Sequence, residues 1–319
     1  MKVAVLGCGR WGVFLAWYFN KIGHEVLLWG RETSPHLKAL KKDRTNGMVT
    51  LPQSVYITSE LDFAIDESAV LVISIASQQL RSFMMDLAKH NLKRKTIVLC
   101  MKGLEEGTGM RLSEVASEYL PASARLAVWL GPGHVQDFLN GVPNCMVIDS
   151  ENDRVKRKLV REFSSKLIRF YYGSDITGNE LGAASKNVMG IAAGMLDGLN
   201  LGSLKGALMA RGTCEIARLI RAMGGDPMSA YGLCHLGDYQ ATLFSEYSNN
   251  RRFGELWVKG VEFECLAEGV STAKAIVKLS REHKIDLPIC RSVYDIVHRK
   301  KEPGKVLSKL FIRRLKSEF

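Results

Sequence analysis

Short apolar runs recur along the first half of the chain, separated by longer amphipathic stretches. The runs are KVAVLG (2–7), EVLLWG (25–30), AVLVISIA (69–76), TIVLCM (96–101), RLAVWLG (125–131) and CMVID (145–149). Continuous apolar strands that alternate with helical segments are typical of a parallel sheet covered on both faces. Residues 1–173 are therefore predicted to form a doubly wound α/β domain.

The pattern changes after Gly173. Long stretches rich in Ala, Leu, Met, Glu and Lys follow, with glycines between them and no clear strand pattern. Residues 174–319 are therefore predicted to form an all-helical C-terminal domain. Two domains also suit the length of 319 residues, because a single hydrophobic core rarely grows beyond about 250–300 residues.

Three glycines follow the first apolar run in the segment GCGRWG (7–12), and a helical pattern begins behind them. Gly7 suits a tight turn, Gly9 lets a pyrophosphate approach the backbone, and Gly12 permits close packing of helix on strand. The positive end of the helix then faces the phosphate charge. The first domain is therefore predicted to be Rossmann-like and to bind a dinucleotide.

The end of the second run, LLWGRE, bears on the choice of cofactor. An acidic residue at this place binds the ribose hydroxyls of NAD, whereas a guanidinium suits the 2′-phosphate of NADP. Arg31 stands here with Glu32 beside it. The sequence favours NADP and leaves NAD open.

Two further features stand at the carboxyl ends of predicted strands, where open α/β sheets bind their ligands. Lys102 follows TIVLCM, and the turn Gly131-Pro132-Gly133 follows RLAVWLG. Lys102 is a candidate ligand-binding cation, and a solvated loop lysine is the alternative.

Lys186 is the strongest candidate for chemistry. Between Leu181 and Leu199 the only charged residues are Lys186 and Asp197, and a helix that is apolar nearly all round is a buried helix. A buried lysine loses hydration of its charged form, which favours the proton exchange of a general acid or base near neutral pH. A structural ion pair is the alternative.

Composition narrows the class of protein. The net charge of +11 suits anionic small molecules as well as nucleic acid, and without a nucleic-acid motif we expect no such partner. The seven cysteines show neither CxxC nor Cys/His metal spacing, so we expect reduced thiols and no metal site. No signal peptide is evident, and no apolar run reaches the roughly 18 residues that span a bilayer. A cytoplasmic location is expected.

These segments together resemble the bacterial NAD(P)-dependent glycerol-3-phosphate dehydrogenases over essentially the whole chain. Besides the glycine loop with its Trp11, the shared motifs are KGLEEGTG (102–109), GPGHVQDFLNGVP (131–143), ELGAASKNVMGIAAGMLDGLNLG (180–202), ARGTCEIARL (210–219), GLCHLGDYQAT (232–242), SNNRRFGE (248–255) and AEGVSTA (267–273). The resemblance implies reversible hydride transfer between NAD(P)H and C2 of dihydroxyacetone phosphate. It also implies a homodimer that supplies sn-glycerol 3-phosphate for phospholipid synthesis.

The resemblance assigns roles to residues of this sequence. Lys186 matches the catalytic lysine, and Lys102 matches a residue that contacts both substrate and cofactor and is assigned to catalysis with it. The implied substrate contacts are Gly131, Asp238, Ser248 and Asn250, together with the altered positions Gly133 and Asn249. The implied cofactor contacts are Gly7, Gly9, Arg10, Trp11, Gly12, Arg31, Lys102, Val135, Asn249, Leu266 and Glu268.

Three positions depart from the family pattern. Gly133 stands where the family has a serine or threonine, and Arg10 stands where a serine is common. Asn249 replaces the first arginine of SRNRRFG, which bridges substrate and cofactor. Losing such a charge-assisted hydrogen bond typically costs about 1.5–3 kcal/mol. Arg251 and Arg252 are candidates to compensate, and structural or solvated roles are the alternative.

Two other interpretations remain open at this point. One is a reductase of a different phosphorylated or carboxylated 2-keto compound on the same architecture. The other is a dinucleotide-binding regulator that has lost turnover, which Asn249 and Gly133 suggest. A buried Lys186 argues against the regulator, because an inactive protein has no reason to retain a costly buried charge.

Overall fold

The computed structural model describes residues 1–312 of the chain. It divides into two compact units: residues 1–102 with 110–176, and residues 103–109 with the chain from Thr177 onward. The first unit ends at Ile176, whereas the sequence placed the boundary after Gly173. Residues 313–319 of the predicted helical domain lie outside the described residues.

The first unit is built on one eight-stranded sheet in the order β3-β2-β1-β4-β5-β6-β7-β8. The strands are β1 (Lys2–Leu6), β2 (Glu25–Trp29), β3 (Val55–Thr58), β4 (Val70–Ile73), β5 (Thr96–Leu99), β6 (Arg125–Leu130), β7 (Asn144–Asp149) and β8 (Ile168–Tyr172). The strand order reverses direction at β1 and β4, as in a doubly wound sheet. The predicted Rossmann-like class of the first domain is confirmed.

All six apolar runs form strands, and two strands were not predicted. The missed strands β3 and β8 end the sheet on its two sides. Both have an exposed face that carries Tyr56 in β3 and Arg169 and Tyr171 in β8. An edge strand that is half in solvent has no continuous apolar run, so the criterion that found the inner strands could not find these.

The predicted parallel sheet is confirmed except at β7. This strand pairs antiparallel with β6, and β8 then pairs parallel with β7. The connection from β6 to β7 contains only the five-residue helix Val135–Leu139. Such a helix extends about 7.5 Å, whereas a parallel crossover must return along a strand of about 20 Å. The short connection therefore reverses the chain direction.

Helices pack on the sheet around one apolar core. They are α1 (Arg10–Lys21), α2 (Pro35–Asp43), α3 (Leu61–Asp66), α4 (Leu80–Leu87), α5 (Leu112–Ser117), α6 (Val135–Leu139) and α7 (Asp153–Phe163). An aromatic cluster fixes α1 and α7 on the sheet. Trp129 of β6 lies edge-on to Phe19, with ring centroids 5.7 Å apart, and Phe163 lies 4.6 Å from Phe19.

Helices are the regular elements of the second unit in its described part. Its helices are α8 (Ile176–Gly198), α9 (Lys205–Ala222), α10 (Asn249–Val258), α11 (Gly269–Glu282), α12 (Pro288–Arg299) and α13 (Pro303–Phe311). Every residue of α8 from Glu180 to Leu196 is buried, which confirms the predicted buried helix. Within residues 1–312, no helix is both long and apolar enough to span a bilayer.

Residues 103–109 interrupt the first unit in sequence and pack with the second. Leu104 is fully buried in the helical core. Glu106 forms an ion pair of 2.6 Å with Lys274, and the Thr108 carbonyl accepts a hydrogen bond of 2.8 Å from Lys278. Both lysines belong to α11. The sequence did not predict that residues 103–109 pack with the second unit, because the segment is too short to show a helical or strand period.

A buried carboxylate caps the N-terminus of α12. Glu215, on α9, accepts hydrogen bonds from the backbone N–H groups of Ile289 and Cys290, at 2.9 and 2.8 Å. Leu287 precedes the helix and has no side chain that can cap it, so Glu215 satisfies two orphan donors from a distant helix. Burial raises the pKa of this carboxyl to about 7, although the two N–H donors oppose the shift.

The titration of Glu215 makes stability depend on pH. From the ordinary value of 4.5 up to about 7, the folded protein holds a proton that the unfolded chain has released. The free energy of unfolding therefore falls as the pH rises through this window, by up to about 3 kcal/mol. Urea unfolding of wild type and Glu215→Gln at several pH values should show wild type losing stability relative to the variant. Parallel pH curves would contradict this.

Candidate active site

The glycine loop shapes a cradle at the start of α1. A Cβ added at Gly12 would lie 1.9 Å from the Gly7 carbonyl oxygen, so the helix packs on the turn with no room for a side chain. A Cβ added at Gly9 would meet nothing within 4 Å, so this position faces open space. The loop therefore keeps a side-chain-free surface at the positive end of a helix of 12 residues, which fits a pyrophosphate.

Aromatic packing fixes the rest of this loop and explains Gly133. Trp11 lies against Phe14, with ring centroids 4.9 Å apart, and Phe14 stacks on Phe138 at 5.2 Å. A Cβ added at Gly133 would lie 2.4 Å from the Phe138 ring. The hydroxyl residue common in the family is therefore excluded by this ring. Val135 is buried at the first position of α6.

Charged side chains lie around the glycine loop and the end of β2. Arg10 donates a hydrogen bond of 3.3 Å to Gln136, and Arg31 is exposed and donates one of 3.2 Å to Gln79. Glu32 pairs with Lys41 at 3.0 Å. The Ser59 hydroxyl and this lysine lower the pKa of the Glu32 carboxyl. The Glu32 carboxylate is thus ionised and already paired with a lysine, while Arg31 is exposed.

Lys102 and Gly131 meet at the carboxyl ends of β5 and β6. The Lys102 Nζ donates a hydrogen bond of 2.6 Å to the Gly131 carbonyl oxygen. The structure thus brings together two predicted site residues of the first unit. The lysine is half-buried rather than a solvated loop residue.

Lys186 lies in the middle of α8 with 8% of its surface exposed. Its Nζ is 2.8 Å from the Asp238 Oδ2 and donates a hydrogen bond of 2.8 Å to the Thr242 hydroxyl. Asp238, 1% exposed, ends the 3₁₀ turn Leu236–Asp238, and Thr242 lies in the π-helical turn Gln240–Phe244. A buried carboxylate at this distance stabilises the ammonium form and opposes desolvation. The arrangement is a buried ammonium group held by a counter-ion and a hydroxyl.

Asn250 joins three helices beside this lysine. Its Nδ2 donates a hydrogen bond of 3.1 Å to the Asn187 side-chain oxygen, and its Oδ1 accepts one of 2.9 Å from the Gly269 N–H. Asn187 follows Lys186 on α8, and Gly269 begins α11. One side chain of α10 thus connects this helix to both α8 and α11. The segment SNNRRFG begins a helix and is not a solvated loop.

The remaining predicted residues of the second unit occupy the same segments. Ser248 is the N-cap of α10, and its hydroxyl accepts from the Arg251 N–H at 3.3 Å. Asn249 donates a hydrogen bond of 3.2 Å to the carbonyl oxygen of Leu266, whose surface is 61% exposed. Glu268 directly precedes α11. These positions therefore cluster at the adjoining starts of α10 and α11.

Comparison with known proteins assigns the family. The family model for the NAD-dependent glycerol-3-phosphate dehydrogenase N-terminus matches residues 2–156, and the model for the C-terminus matches residues 175–308. The chain belongs to this dehydrogenase family.

Individual relatives of the dehydrogenase cover the whole chain. Glycerol-3-phosphate dehydrogenase [NAD(P)+] of Thermoanaerobacter sp. is 35% identical over 328 residues, covering 100% of this chain and 99% of the relative. The protein of the same name from Prosthecochloris aestuarii is 36% identical over 332 residues, with 100% of both covered. The crystal structure of glycerol-3-phosphate dehydrogenase from Coxiella burnetii has a TM-score of 0.91 at 27% identity, covering 98% of this chain and 99% of that one.

Arg251 is committed to an ionic network in this dehydrogenase. Its Nη1 lies 2.8 Å from Asp197 and 2.9 Å from Glu255, and its Nε donates a hydrogen bond of 3.0 Å to the Ser245 carbonyl. Lys205 pairs with the same Asp197 at 2.7 Å. The network joins α8, α9 and α10, so these contacts favour the structural alternative for Arg251.

Arg252 differs from its neighbour. It is exposed, and its guanidinium lies over the Phe263 ring at 5.8 Å from the centroid. A guanidinium held only by a ring at the surface keeps its charge accessible. Of the two candidates to compensate for Asn249, Arg252 is the less constrained.

Two polar groups beside Lys186 were missed as site residues. Thr242 and Asn187 both lie inside the motifs used for the sequence analysis, without having been assigned a role. Thr242 stands four residues after Asp238, a spacing that brings two side chains to one face of a helical turn. Asn187 is next to the lysine on a helix with few other polar residues. These two signals were sufficient to find them.

The network predicts the effect of replacing Arg251. Arg251→Met should lower the free energy of unfolding by about 1.5–3 kcal/mol, because charged hydrogen bonds are lost, and should change the Michaelis constant for dihydroxyacetone phosphate less than threefold. Glu255→Gln, which breaks the same network from its acidic side, is the matched control. A large rise in this constant for Arg251→Met alone would identify Arg251 as a phosphate ligand.

Proposed function

We propose that this chain, as an NAD(P)-dependent glycerol-3-phosphate dehydrogenase, uses Lys186 as the proton donor in ketone reduction and the proton acceptor in alcohol oxidation. The observation that carries the proposal is the buried contact of Lys186 with Asp238 and Thr242 at 2.8 Å. The names of the relatives support the activity. The substrate we propose is dihydroxyacetone phosphate, reduced to sn-glycerol 3-phosphate.

The chemistry requires charge to be neutralised at one oxygen. When bound, NAD(P)H supplies the hydride that C2 of the ketone receives. As C2 becomes tetrahedral, its oxygen gains negative charge, and the Lys186 ammonium stabilises this charge and transfers a proton to the oxygen. Asp238 holds the ammonium charged beforehand, and Thr242 fixes its direction, so little reorganisation is needed during the step.

The other predicted site residues are proposed to bind and orient the cofactor and the substrate. For the cofactor these are Gly7, Gly9, Arg10, Trp11, Gly12, Arg31, Lys102, Val135, Asn249, Leu266 and Glu268. For the substrate they are Lys102, Gly131, Gly133, Asp238, Ser248, Asn249 and Asn250. The exposed Arg31 and the pairing of Glu32 with Lys41 support a preference for NADPH over NADH.

The assembly and cellular role are also proposals. We propose a homodimer that supplies sn-glycerol 3-phosphate to phospholipid synthesis in the cytoplasm. All seven cysteines lie within the described residues and are free thiols. Free thiols are typical of proteins that work in a reducing compartment.

The activity is tested by NADPH oxidation, followed at 340 nm, with dihydroxyacetone phosphate and with unphosphorylated dihydroxyacetone. We expect turnover that requires the phosphate, because the phosphate supplies the binding energy that orients C2, and we expect NADPH to be used faster than NADH. Equal turnover of the two ketones would refute the phosphorylated substrate. A protein that binds NADPH but reduces neither ketone would instead support the regulator interpretation.

A further inference from the structure

Two buried polar residues flank Asp238 on its own short segment. His235 and Tyr239 are both 0% exposed. The His235 Nδ1 is 2.9 Å from the Gly182 carbonyl oxygen, and the His235 Nε2 is 2.6 Å from the Tyr239 hydroxyl. The role proposed for Lys186 does not by itself require either contact.

The chemistry of the partners fixes the direction of both hydrogen bonds. A carbonyl oxygen can only accept, so the His235 Nδ1 donates to Gly182, and the neutral ring then accepts from the Tyr239 hydroxyl at Nε2. Burial lowers the pKa of His235 to about 4, so the ring is neutral in the range where the enzyme would be assayed. The imidazole is therefore a fixed bridge rather than a proton carrier.

The bridge ends one helical turn from the catalytic lysine. Gly182 precedes Lys186 by four residues on α8, so the two lie on the same face of the helix. A Cβ added at Gly182 would lie 3.0 Å from the His235 Cβ, so the segment rests against the helix backbone itself. The His235 carbonyl in turn accepts the Asp238 N–H at 3.0 Å. His235 thus fixes the position of the Asp238 carboxylate relative to α8.

We propose that His235 and Tyr239 are positioning residues that hold the Asp238 carboxylate at bonding distance from the Lys186 ammonium. This inference rests on the proposed catalytic role of Lys186. Neither residue would touch substrate or cofactor. His235 and Tyr239 would affect catalysis only through the distance between Lys186 and Asp238, because the attraction between two charges weakens as they separate.

Other titratable groups surround the bridge, and none of them replaces it. Lys186 and Asp238 face His235, while Cys214 and Glu215 of α9 and Cys290 of α12 face Tyr239. Burial raises the pKa of Tyr239 and of Cys290, so both stay protonated. Burial raises the pKa of Glu215 to about 7, so the charge of this group also changes under assay conditions.

The test replaces only the hydroxyl that completes the bridge. Tyr239→Phe should lower kcat about tenfold to a hundredfold, since small displacements of a catalytic group have effects of this size, and should leave the dissociation constant for NADPH within twofold. A weaker ion pair also releases the ammonium proton more easily. The alkaline limb of the kcat profile for ketone reduction should therefore move to lower pH.

The matched control is Tyr18→Phe in the sheet unit. Tyr18 is also fully buried, and its hydroxyl donates a hydrogen bond of 2.6 Å to the Phe163 carbonyl. This variant should lose thermal stability to a similar degree while keeping the wild-type kcat and pH profile. If Tyr239→Phe behaves in the same way, the two residues are core packing only and the proposal is overturned.

Two further variants distinguish failure of the positioning proposal from failure of the role proposed for the ion pair. If Asp238→Asn is strongly impaired while Tyr239→Phe is not, the positioning proposal alone fails. If Asp238→Asn turns over like wild type, the proposed role of the ion pair fails, and with it the reason to position Asp238. Should Tyr239→Phe not fold, His235→Gln gives the same comparison, because its amide can still donate to Gly182 but holds Tyr239 less rigidly.

Discussion

The chemistry proposed for the helical unit depends on one buried ion pair, Lys186 with Asp238. Removing two charges from water costs several kcal/mol per ion, and well-packed apolar residues at such sites are often neutral or more stable. The pair is therefore a poor way to stabilise α8. Its presence in a largely apolar helix is what the proposed proton transfer by Lys186 requires.

The helices of this unit pack closely. A Cβ added at Gly194 would lie 1.8 Å from the Arg251 carbonyl, and one at Gly254 would lie 2.1 Å from the Ile191 carbonyl. The backbones of α8 and α10 thus touch, and Asn250 on α10 can reach the helix that carries the lysine. The π-helical turn that presents Thr242 is a further local departure from regular structure, of a kind often found at functional sites.

Much of this was accessible from the sequence, and the misses have identifiable causes. Continuous apolar runs found every inner strand, and a lysine in a largely apolar helical stretch identified Lys186. The edge strands β3 and β8, the reversed direction of β7 and the placement of residues 103–109 depend on long-range pairing. The capping of α12 by Glu215 likewise joins positions 74 residues apart, which no local pattern reveals.

The most direct test of the catalytic claim is the turnover of dihydroxyacetone phosphate by the double variant Lys186→Met with Asp238→Leu. Replacing both charges avoids an unpaired buried ion, so the variant should fold with wild-type stability or better and should still bind NADPH. The account predicts that its turnover falls by about 10³-fold or more, through loss of acid catalysis and charge stabilisation. Turnover within about tenfold of wild type would contradict the claim that this pair carries the chemistry.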